Sequence, residues 1–337
     1  AYLEAKTKEK LYIVAGSEFG QLEGHVLVFN KALYGLRTSG ARWHEKMADT
    51  LRNLGWQPTY ADPDVWMKDC TTHYEYVCVY VDDILVIGKD PSELISQLRQ
   101  HFKLKDVGPP SAFLGGNFER RNLPEKVMTW GSKTYVNKIL NSYKDQHGEL
   151  PMKSVHTPLE TGDHPELDTS AELDIKGIQL YQSLIGMLQW AVTLGRIDIF
   201  FAVMTMSRFR VAPRVGHLDR IRRIFAYLKT YNNTSIKFRV DIPNYDGYPL
   251  AEEYDWTYVY GDVNEELPEN MPRPKGKMVR TSSYVDANLQ HDLITGRSAS
   301  GVLHFVNKTP IDWYCKRQNT VETATYGTEF VAARIAT

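Results

Sequence analysis

The chain has 337 residues, which is enough for two or three domains with sizeable cores. Its 42% hydrophobic and 24% charged residues are typical of a globular protein, and they exclude a disordered chain and a membrane protein. The formal net charge of −1 hides a segregation of charge, because residues 241–270 hold nine acids and no Lys or Arg while the remainder is net positive.

Cysteine usage gives an expectation about the compartment. Cys70, Cys78 and Cys315 are odd in number and widely spaced, which favours a reducing compartment and argues against a disulfide or zinc framework. No basic region followed by an apolar block opens the chain, so no secretory signal is predicted. The most apolar region, residues 184–206, is interrupted by polar and charged residues, which predicts a buried helical hairpin and not a membrane span.

Two amphipathic helices are predicted in the first third of the chain, over residues 39–54 and 91–102. Both have apolar residues at helical spacing, and Gly55 follows the first as a stop signal. The positions predicted to face inward are Trp43, Met47 and Leu51 in the first helix and Leu94, Ile95 and Leu98 in the second.

Between these helices, residues 76–88 form an apolar run that contains two adjacent acids, Asp82 and Asp83. The two β-branched and aromatic halves of the run predict a β-hairpin with the acids at its tip. Carboxylates at a buried tip repel each other, so we expect either that one takes up a proton or that both face a divalent cation. From the residues alone, a plain Asp-Asp turn and a metal site are equally open.

Beyond Phe118 the pattern is mostly helical as far as about residue 231. Residues 207–229 combine apolar positions, which predict one inward face, with seven basic residues and a single acid. The basic residues are Arg208, Arg210, Arg214, Arg220, Arg222, Arg223 and Lys229. Bases projecting outward would suit a phosphate backbone with salt-dependent affinity, and a solvated helical face is the alternative.

The last third of the chain begins with an acidic, proline-containing segment, residues 241–275, that lacks periodicity and is predicted to be an insertion or linker. Short strands are then predicted around Asp286 and over residues 301–306. Glu329 follows on a predicted helix.

Several motifs occur in an order that resembles the reverse transcriptases of copia-type LTR retrotransposons. Tyr80-Val81-Asp82-Asp83 is similar to the family's catalytic motif, and Phe113-Leu114-Gly115 to its primer-gripping motif. Further segments that resemble family motifs are residues 1–5, 31–40, 61–66, 102–108, 181–186, 207–209, 297–301 and 328–330.

This resemblance implies an α+β fold, with reverse-transcriptase fingers and palm, a helical thumb, and the N-terminal part of a ribonuclease H-like α/β domain. The implied boundaries are 1–120 for partial fingers and palm, 121–240 for the thumb-like helical region, 241–280 for the acidic insertion or linker, and 281–337 for a truncated ribonuclease H-like domain. In the family, the first palm motif has an Asp four residues before the position of Ala1. We therefore expect a Pol polyprotein fragment that lacks this acid and the ribonuclease H acids beyond Thr337.

The resemblance also implies roles for individual residues. Catalytic and metal-binding carboxylates are expected at Asp82 and Asp83, and at Asp286 and Glu329 in the ribonuclease H-like region. Nucleotide-binding residues are expected at Tyr2, which would be the steric gate beneath the sugar, and at Gly35, Arg37 and Lys105. Nucleic-acid contacts are expected at Tyr80, Leu114, Gly115, Arg208, Arg210, Arg222 and Arg223. From the residues alone, Tyr2 could equally be an ordinary aromatic residue of the core, and Arg37 and Lys105 could be plain surface charges.

The function implied is RNA-directed DNA polymerisation by two-metal nucleotidyl transfer to a primer 3′-hydroxyl, with an attached ribonuclease H. The cofactor would be Mg²⁺, with Mn²⁺ as the alternative. The implied partners are an RNA template, a DNA primer, their hybrid, deoxynucleoside triphosphates, and other Pol and Gag products, with no membrane. The implied location is a cytoplasmic virus-like particle with access to the nucleus.

We expect weak or no activity from this fragment because it lacks catalytic acids. Two alternatives are a catalytically dead, domesticated nucleic-acid-binding remnant and a structural particle component.

Overall fold

The computed structural model describes residues 2–105, 108–122, 126–151, 154–247, 255, 257–262, 266 and 268–337. The chain divides into two compact units, Ala1–Pro110 with Asp262–Lys277 and Ser111–Gly261 with Met278–Thr337. The described residues combine helices with antiparallel sheets, which agrees with the predicted α+β class.

The first unit contains a short hairpin, a four-stranded antiparallel sheet and two helices. Its elements are β1 (Tyr12–Val14), β2 (Val26–Val28), α1 (Ser39–Asn53), β3 (Gln57–Pro58), β4 (Val65–Asp69), β5 (Tyr74–Tyr80), β6 (Asp83–Ile87) and α2 (Pro91–Arg99). The sheet order is β3-β4-β5-β6, and β1 pairs with β2.

Both predicted helices of this unit are present, and they bury the predicted faces. Helix α1 buries Trp43, Met47 and Leu51 in one core cluster with the sheet. Helix α2 begins after Asp90, whose side chain accepts a hydrogen bond from the Ser92 N–H, and it ends at Arg99, earlier than predicted. Of its predicted inward residues, Leu94 and Leu98 are buried and Ile95 is half-buried.

The second unit contains a four-stranded sheet, a helical core and a three-stranded sheet. Its elements are β7 (Ala112–Phe113), β8 (Gly116–Asn122), β9 (Lys126–Gly131), α3 (Lys133–His147), α4 (Ile175–Thr193), α5 (Phe200–Ser207), α6 (Val215–Thr230), β10 (Ser235–Lys237), α7 (Thr257–Tyr260), β11 (Thr281–Asn288), β12 (Ala299–Val306), β13 (Thr309–Arg317) and α8 (Thr325–Ala336). The sheet orders are β10-β9-β8-β7 and β11-β12-β13, and all the pairs are antiparallel.

The predicted apolar hairpin over residues 184–206 corresponds to the C-terminal half of α4 and to α5. Most of its apolar residues belong to a core cluster that also includes α3 and α6, whereas Trp190 and Phe201 are exposed. The charged interruption is accommodated because the buried guanidinium of Arg196 forms a two-pronged ion pair with Asp198, with N–O distances of 2.8 and 2.7 Å. Among the described helices, none is both long and apolar enough to cross a membrane.

The prediction of helix beyond Phe118 was wrong for residues 119–122 and 126–131, which belong to the antiparallel strands β8 and β9. Phe118 lies opposite Trp130 in this pair. Strand β9 contains Val127, Met128, Thr129 and Trp130, whose β-branched, aromatic and apolar side chains fit a pleated surface. Pairing between the strands therefore outweighs the weak helical pattern of this segment.

The acidic segment lies only partly within the described residues, because residues 248–254, 256, 263–265 and 267 fall outside them. Its described part includes the short helix α7. Residues 262–277 belong to the first unit, where the Tyr74 hydroxyl donates to the Arg273 carbonyl at 2.8 Å and Lys275 pairs with Asp69.

Candidate active site

The two adjacent acids lie at the end of the hairpin formed by β5 and β6, as predicted. Tyr80 is paired with Asp83, so Val81 and Asp82 form a two-residue turn and Asp83 is the first residue of β6. The prediction of a buried tip was wrong, because Asp82 and Asp83 are both exposed. Tyr80 is also exposed, over 58% of its surface. The tip therefore presents two carboxylates and an aromatic ring to solvent.

The backbone of this turn is strained and is held from the side. Val81 has a φ of 54°, a left-handed conformation that β-branched residues rarely adopt. Its carbonyl oxygen accepts a hydrogen bond from the indole Nε1–H of Trp43, which is buried on α1. Helix α1 thereby fixes the position of the residue that precedes Asp82. Trp43 was predicted only as a core residue, since helical periodicity does not indicate which backbone group an indole reaches.

Two motifs that are distant in sequence meet in the first unit. The rings of Tyr2 and Tyr34 are 4.6 Å apart between centroids and inclined by 35°. The Ala32 N–H donates to the Ala5 carbonyl at 3.0 Å, which joins the two segments. Tyr34 is exposed over 63% of its surface, whereas Tyr2 is half-buried. The partnership of Tyr34 with Tyr2 was not predicted.

The remaining predicted nucleotide-binding residues of the first unit lie on its surface. Gly35 is exposed and has a φ of 96°. Arg37 and Lys105 are exposed and form no ion pair with another residue that the structure describes. Both cations are thus available to a ligand. Asp106 of the adjacent motif falls outside the described residues.

The predicted primer-contacting residues Leu114 and Gly115 form a tight turn between β7 and β8. Phe113 pairs with Gly116, and the two turn residues have φ values of 50° and 82°. Such a turn requires left-handed backbone at both positions, which glycine adopts without strain. Leu114 is 43% exposed.

The basic residues around α6 differ from the prediction of outward-projecting cations. Several are held by acids that are distant in sequence: Arg208 pairs with Asp292, Arg214 with Glu172, Arg220 with Asp163 and Asp168, and Arg223 with Glu160. Helical periodicity could not reveal these pairs, because the acids belong to other segments. Arg210 and Arg222 remain exposed, although Arg222 contacts Asp219 on its own helix.

The ion pair of Arg220 with Asp168 affects titration. Burial raises the pKa of the Asp168 carboxyl, but hydrogen bonds from Ser170 and Arg220 outweigh it and lower the pKa to about 2. Hydrogen bonds to Asp163 and Asp168 in turn raise the pKa of the Arg220 guanidinium. Most of the positive charge of this helix is therefore used within the fold.

Glu329 lies beside the strand that carries Asp286, in the three-stranded part of the second unit. Asp286 is exposed on β11, and α8 packs against this strand. Glu329 on α8 accepts a hydrogen bond from the Ala287 N–H at 3.4 Å, so its carboxylate lies beside the residue that follows Asp286.

A buried amide that the sequence did not single out holds α8 in place. Gln318 donates to the Thr328 carbonyl in α8 and to the Ser300 hydroxyl in β12, both at 2.9 Å. These contacts fix the turn of α8 that carries Glu329.

The donor chemistry of these acids fits a hard divalent cation. Mg²⁺ prefers oxygen ligands, and proteins commonly bind it through one or two carboxylates together with substrate phosphates. Asp82 and Asp83 offer two adjacent carboxylates at an exposed tip. Asp286 and Glu329 offer a second pair of carboxylates on neighbouring elements.

Comparison with known proteins finds a match for the first part of the chain. A family model described as reverse transcriptase (RNA-dependent DNA polymerase) matches residues 1–154. These residues are therefore similar to reverse transcriptases, and the transposon relatives support a fragment of a copia-type retrotransposon reverse transcriptase. No solved structure matches the chain.

Relatives among transposon proteins match nearly the whole chain. The retrovirus-related Pol polyprotein from transposon TNT 1-94 of Nicotiana tabacum is 26% identical over 99% of the chain and 23% of its own length. The putative transposon Ty5-1 protein of Saccharomyces cerevisiae is 27% identical over 83% of the chain and 86% of its own length. The Pol polyprotein from transposon RE1 of Arabidopsis thaliana is 24% identical over 95% of the chain. The chain spans only about a fifth of the two Pol polyproteins.

Proposed function

We propose that this sequence supplies the palm site of an RNA-directed DNA polymerase, which adds deoxynucleotides to a primer 3′-hydroxyl on an RNA template. The observation that carries the proposal is the pair Asp82 and Asp83 at an exposed hairpin tip whose strained turn is fixed by Trp43. Strained backbone that neighbouring structure holds in place is common at functional sites.

In this proposal, Asp82 is the principal ligand of Mg²⁺ and Asp83 is the auxiliary ligand, with Mn²⁺ as the alternative ion. When bound, the divalent ions lower the pKa of the attacking hydroxyl and stabilise the leaving pyrophosphate. Two carboxylates hold such an ion weakly unless further oxygen ligands complete the site. We therefore expect weak or no activity from this chain by itself, and full activity when the first palm motif contributes its acid.

Other residues of the first unit bind and orient the nucleotide. Tyr2, supported by the Tyr34 ring, packs beneath the sugar and excludes a 2′-hydroxyl. Arg37 and Lys105 provide exposed positive charge for the triphosphate, and Gly35 allows backbone to approach it. The exposed Tyr80 ring contacts the primer terminus.

The second unit contributes contacts to the primer, template and hybrid. Leu114 and Gly115 present an exposed turn, and Arg210 and Arg222 present exposed cations for phosphates. Arg208 and Arg223 contribute less to this contact, because their side chains are only 16% and 27% exposed, against 45% for Arg222. We propose a cytoplasmic virus-like particle as the setting, with Gag and other Pol products as partners and nuclear access of the complex.

For the segment that follows, we propose the beginning of a ribonuclease H domain that hydrolyses the RNA strand of a hybrid. The supporting observation is the approach of Glu329 to the strand that carries Asp286. These two acids would hold part of a divalent-ion site. Four segments, 1–120, 121–240, 241–280 and 281–337, remain our proposed domain division.

Primer extension tests the polymerase proposal. We expect a primed RNA template, Mg²⁺ and deoxynucleoside triphosphates to give extension with the chain extended upstream through the first palm motif. Asp82→Asn should lower the rate at least about 100-fold, as removal of a group that stabilises transition-state charge does. Asp49→Asn, which changes an exposed acid on α1, is the matched control and should leave the rate unchanged.

Two outcomes would decide among the alternatives. Equal rates for the wild type and Asp82→Asn would contradict the polymerase proposal. Salt-dependent hybrid binding without extension would favour a nucleic-acid-binding remnant, and self-association without hybrid binding would favour a structural particle component.

A further inference from the structure

A cluster of three different metal-ligating side chains lies at the turn between β4 and β5, away from the proposed polymerase site. Cys70, His73 and Glu75 are all half-buried, and each places a ligand atom within 4.8 Å of the other two. Strand β5 runs from this turn to Tyr80 at the opposite end, which separates the cluster from the Asp82 turn by about 20 Å at an ordinary strand rise. The cluster therefore does not belong to the carboxylate site.

The local backbone brings the three side chains together. The Cys70 N–H donates to the His73 carbonyl at 2.9 Å, which closes a tight turn. Within this turn the Thr71 N–H donates to the Asp69 carboxylate at 2.7 Å, and Thr71 has a φ of 67°. His73 directly precedes β5 and Glu75 is the second residue of that strand, so the two side chains project to the same side. The His73 Nε2 atom lies 3.5 Å from the Glu75 Oε1 atom.

Neighbouring groups orient the two outer ligands. The Thr72 hydroxyl lies 3.1 Å from Nδ1 of His73, which leaves Nε2 directed to the cluster. The Lys89 N–H donates to Glu75 Oε1 at 3.1 Å. Gly88 makes room for this carboxylate, since a Cβ there would lie 2.7 Å from Glu75 Oε1. Hydrogen-bonded outer partners of this kind are a regular feature of metal-binding histidines and carboxylates.

We propose that Cys70, His73 and Glu75 form a Zn²⁺ site with three protein ligands and a water molecule in the fourth position. Thiolate, imidazole and carboxylate are the donor types that zinc takes in proteins, whereas Mg²⁺ rarely takes sulfur. Binding forms a zinc–sulfur bond, breaks the S–H bond of Cys70 and releases that proton to solvent. The ion joins the end of β4 to the start of β5 and stabilises the first unit. Counting cysteines could not reveal the site, because two of its three ligands are not cysteines.

Cobalt substitution in the full chain tests the proposal, because a thiolate bound to Co²⁺ gives a charge-transfer absorption that imidazole and carboxylate ligands do not give. We expect titration with Co²⁺ to saturate at one equivalent, and Zn²⁺ to displace the cobalt. Cys70→Ser should abolish the charge-transfer band. Cys78→Ser and Cys315→Ser are matched controls, because each removes a thiol outside the cluster, and both should keep the band.

The other two ligands and an outer partner provide graded tests by Zn²⁺ competition. Loss of an outer partner weakens metal binding roughly 10- to 100-fold. Because His73 and Glu75 bind the ion directly, His73→Ala and Glu75→Gln should each weaken Zn²⁺ binding by more than that. Thr72→Val should weaken it by about 10-fold. Circular dichroism of each variant without metal checks that the chain is folded.

Three results would overturn the proposal. They are the absence of a one-equivalent Co²⁺ complex in the wild type, a band that survives Cys70→Ser, and Zn²⁺ affinity unchanged by both His73→Ala and Glu75→Gln. In any of these cases the three side chains form only an ordinary hydrogen-bonded cluster on the sheet. The test does not depend on polymerase activity.

Discussion

Val81 shows how single residues shape the turn that carries Asp82. Its side chain is β-branched and 42% exposed, so it gains little from burial, while its backbone adopts the left-handed conformation with a φ of 54°. Such a conformation costs about 1–3 kcal/mol and persists only when surrounding structure fixes it. The hydrogen bond from Trp43 to the Val81 carbonyl is one contact that does so.

Relieving this strain should stabilise the first unit. Val81→Asn should raise the free energy of unfolding by about 1 kcal/mol, because Asn adopts left-handed backbone more readily than Val. Ile87→Asn is the matched control, since Ile87 is an exposed apolar residue of the same hairpin without a positive φ. Chemical denaturation measures both. Equal effects of the two substitutions would show that strain at Val81 is negligible.

The contribution of the Trp43 hydrogen bond can be isolated with a second tryptophan. Trp43 and Trp56 are both buried in the same core cluster, but Trp56 Nε1 has no hydrogen-bond partner in the described part of the chain. Phe substitution removes the same volume from each site. Trp43→Phe should therefore destabilise the protein by about 1 kcal/mol more than Trp56→Phe in urea unfolding. An equal or larger loss for Trp56→Phe would contradict the proposed role of Trp43.

At the scale of a single element, helix α6 uses several of its basic side chains for ion pairs within the fold. Arg220 reaches Asp163 and Asp168 at 2.7 Å each, and both acids lie in the segment that precedes α4. His217 on the same helix lies between two further groups: its Nδ1 accepts from the Arg214 N–H and its Nε2 donates to the Pro165 carbonyl. The helix is thus fastened to this segment by charged and neutral contacts.

The ion pair of Asp168 predicts a pH dependence of stability. Because folding lowers the pKa of Asp168 from 3.8 to about 2, its stabilisation is fully present above pH 3.8 and is lost as the pH falls through about 2. Asp168→Asn should lower the free energy of unfolding by about 1–3 kcal/mol near neutral pH. The difference from the wild type should shrink as the pH approaches 2.

Glu172→Gln is the control for Asp168→Asn. Glu172 pairs with Arg214 but its side chain is 68% exposed, so its removal should cost at most about 1 kcal/mol. Urea unfolding over a series of pH values compares the variants. An Asp168→Asn effect no larger than that of Glu172→Gln would contradict the importance of this pair.

The same pairing predicts which arginines contribute to hybrid binding. Arg210→Ala and Arg222→Ala should each reduce the salt dependence of binding by about one counterion, because these side chains are exposed. Arg223→Ala should change it less, because the Arg223 side chain is only 27% exposed, against 45% for Arg222, and also donates to Glu160 and Thr157. Titration of an RNA–DNA hybrid at several salt concentrations measures the slope. Equal slopes for all three variants and the wild type would contradict phosphate contacts by this helix.

At the scale of the whole molecule, local features were predictable and long-range features were not. Helix α1 and the Asp82 hairpin follow from periodicity within a short window, and both were predicted. Arg220 and Arg223 on α6 pair with acids that lie 57 and 63 residues away in the chain. Helical periodicity could not indicate these partners. The pairing of β9 with β10 at residues 235–237 is likewise a long-range contact that the local pattern could not indicate.

The site could be predicted only in part for the same reason. The adjacent acids stand out because they interrupt an apolar run, but their exposure depends on how the hairpin packs. Neither the contact of Tyr34 with Tyr2 nor that of Glu329 with the Ala287 N–H leaves a mark in the local pattern. The resemblance supplied Tyr2 and Glu329, and packing brings each of them to a partner that was not predicted.

The most direct test of the central claim is single-nucleotide incorporation on a primed RNA template, measured against Mg²⁺ concentration in the chain extended through the first palm motif. We predict no measurable incorporation by Asp82→Asn at any Mg²⁺ concentration. Asp83→Asn should require more Mg²⁺ than the wild type, because an auxiliary ligand is lost. Wild-type rates and an unchanged Mg²⁺ requirement in both variants would contradict the claim that these two carboxylates hold the catalytic ion.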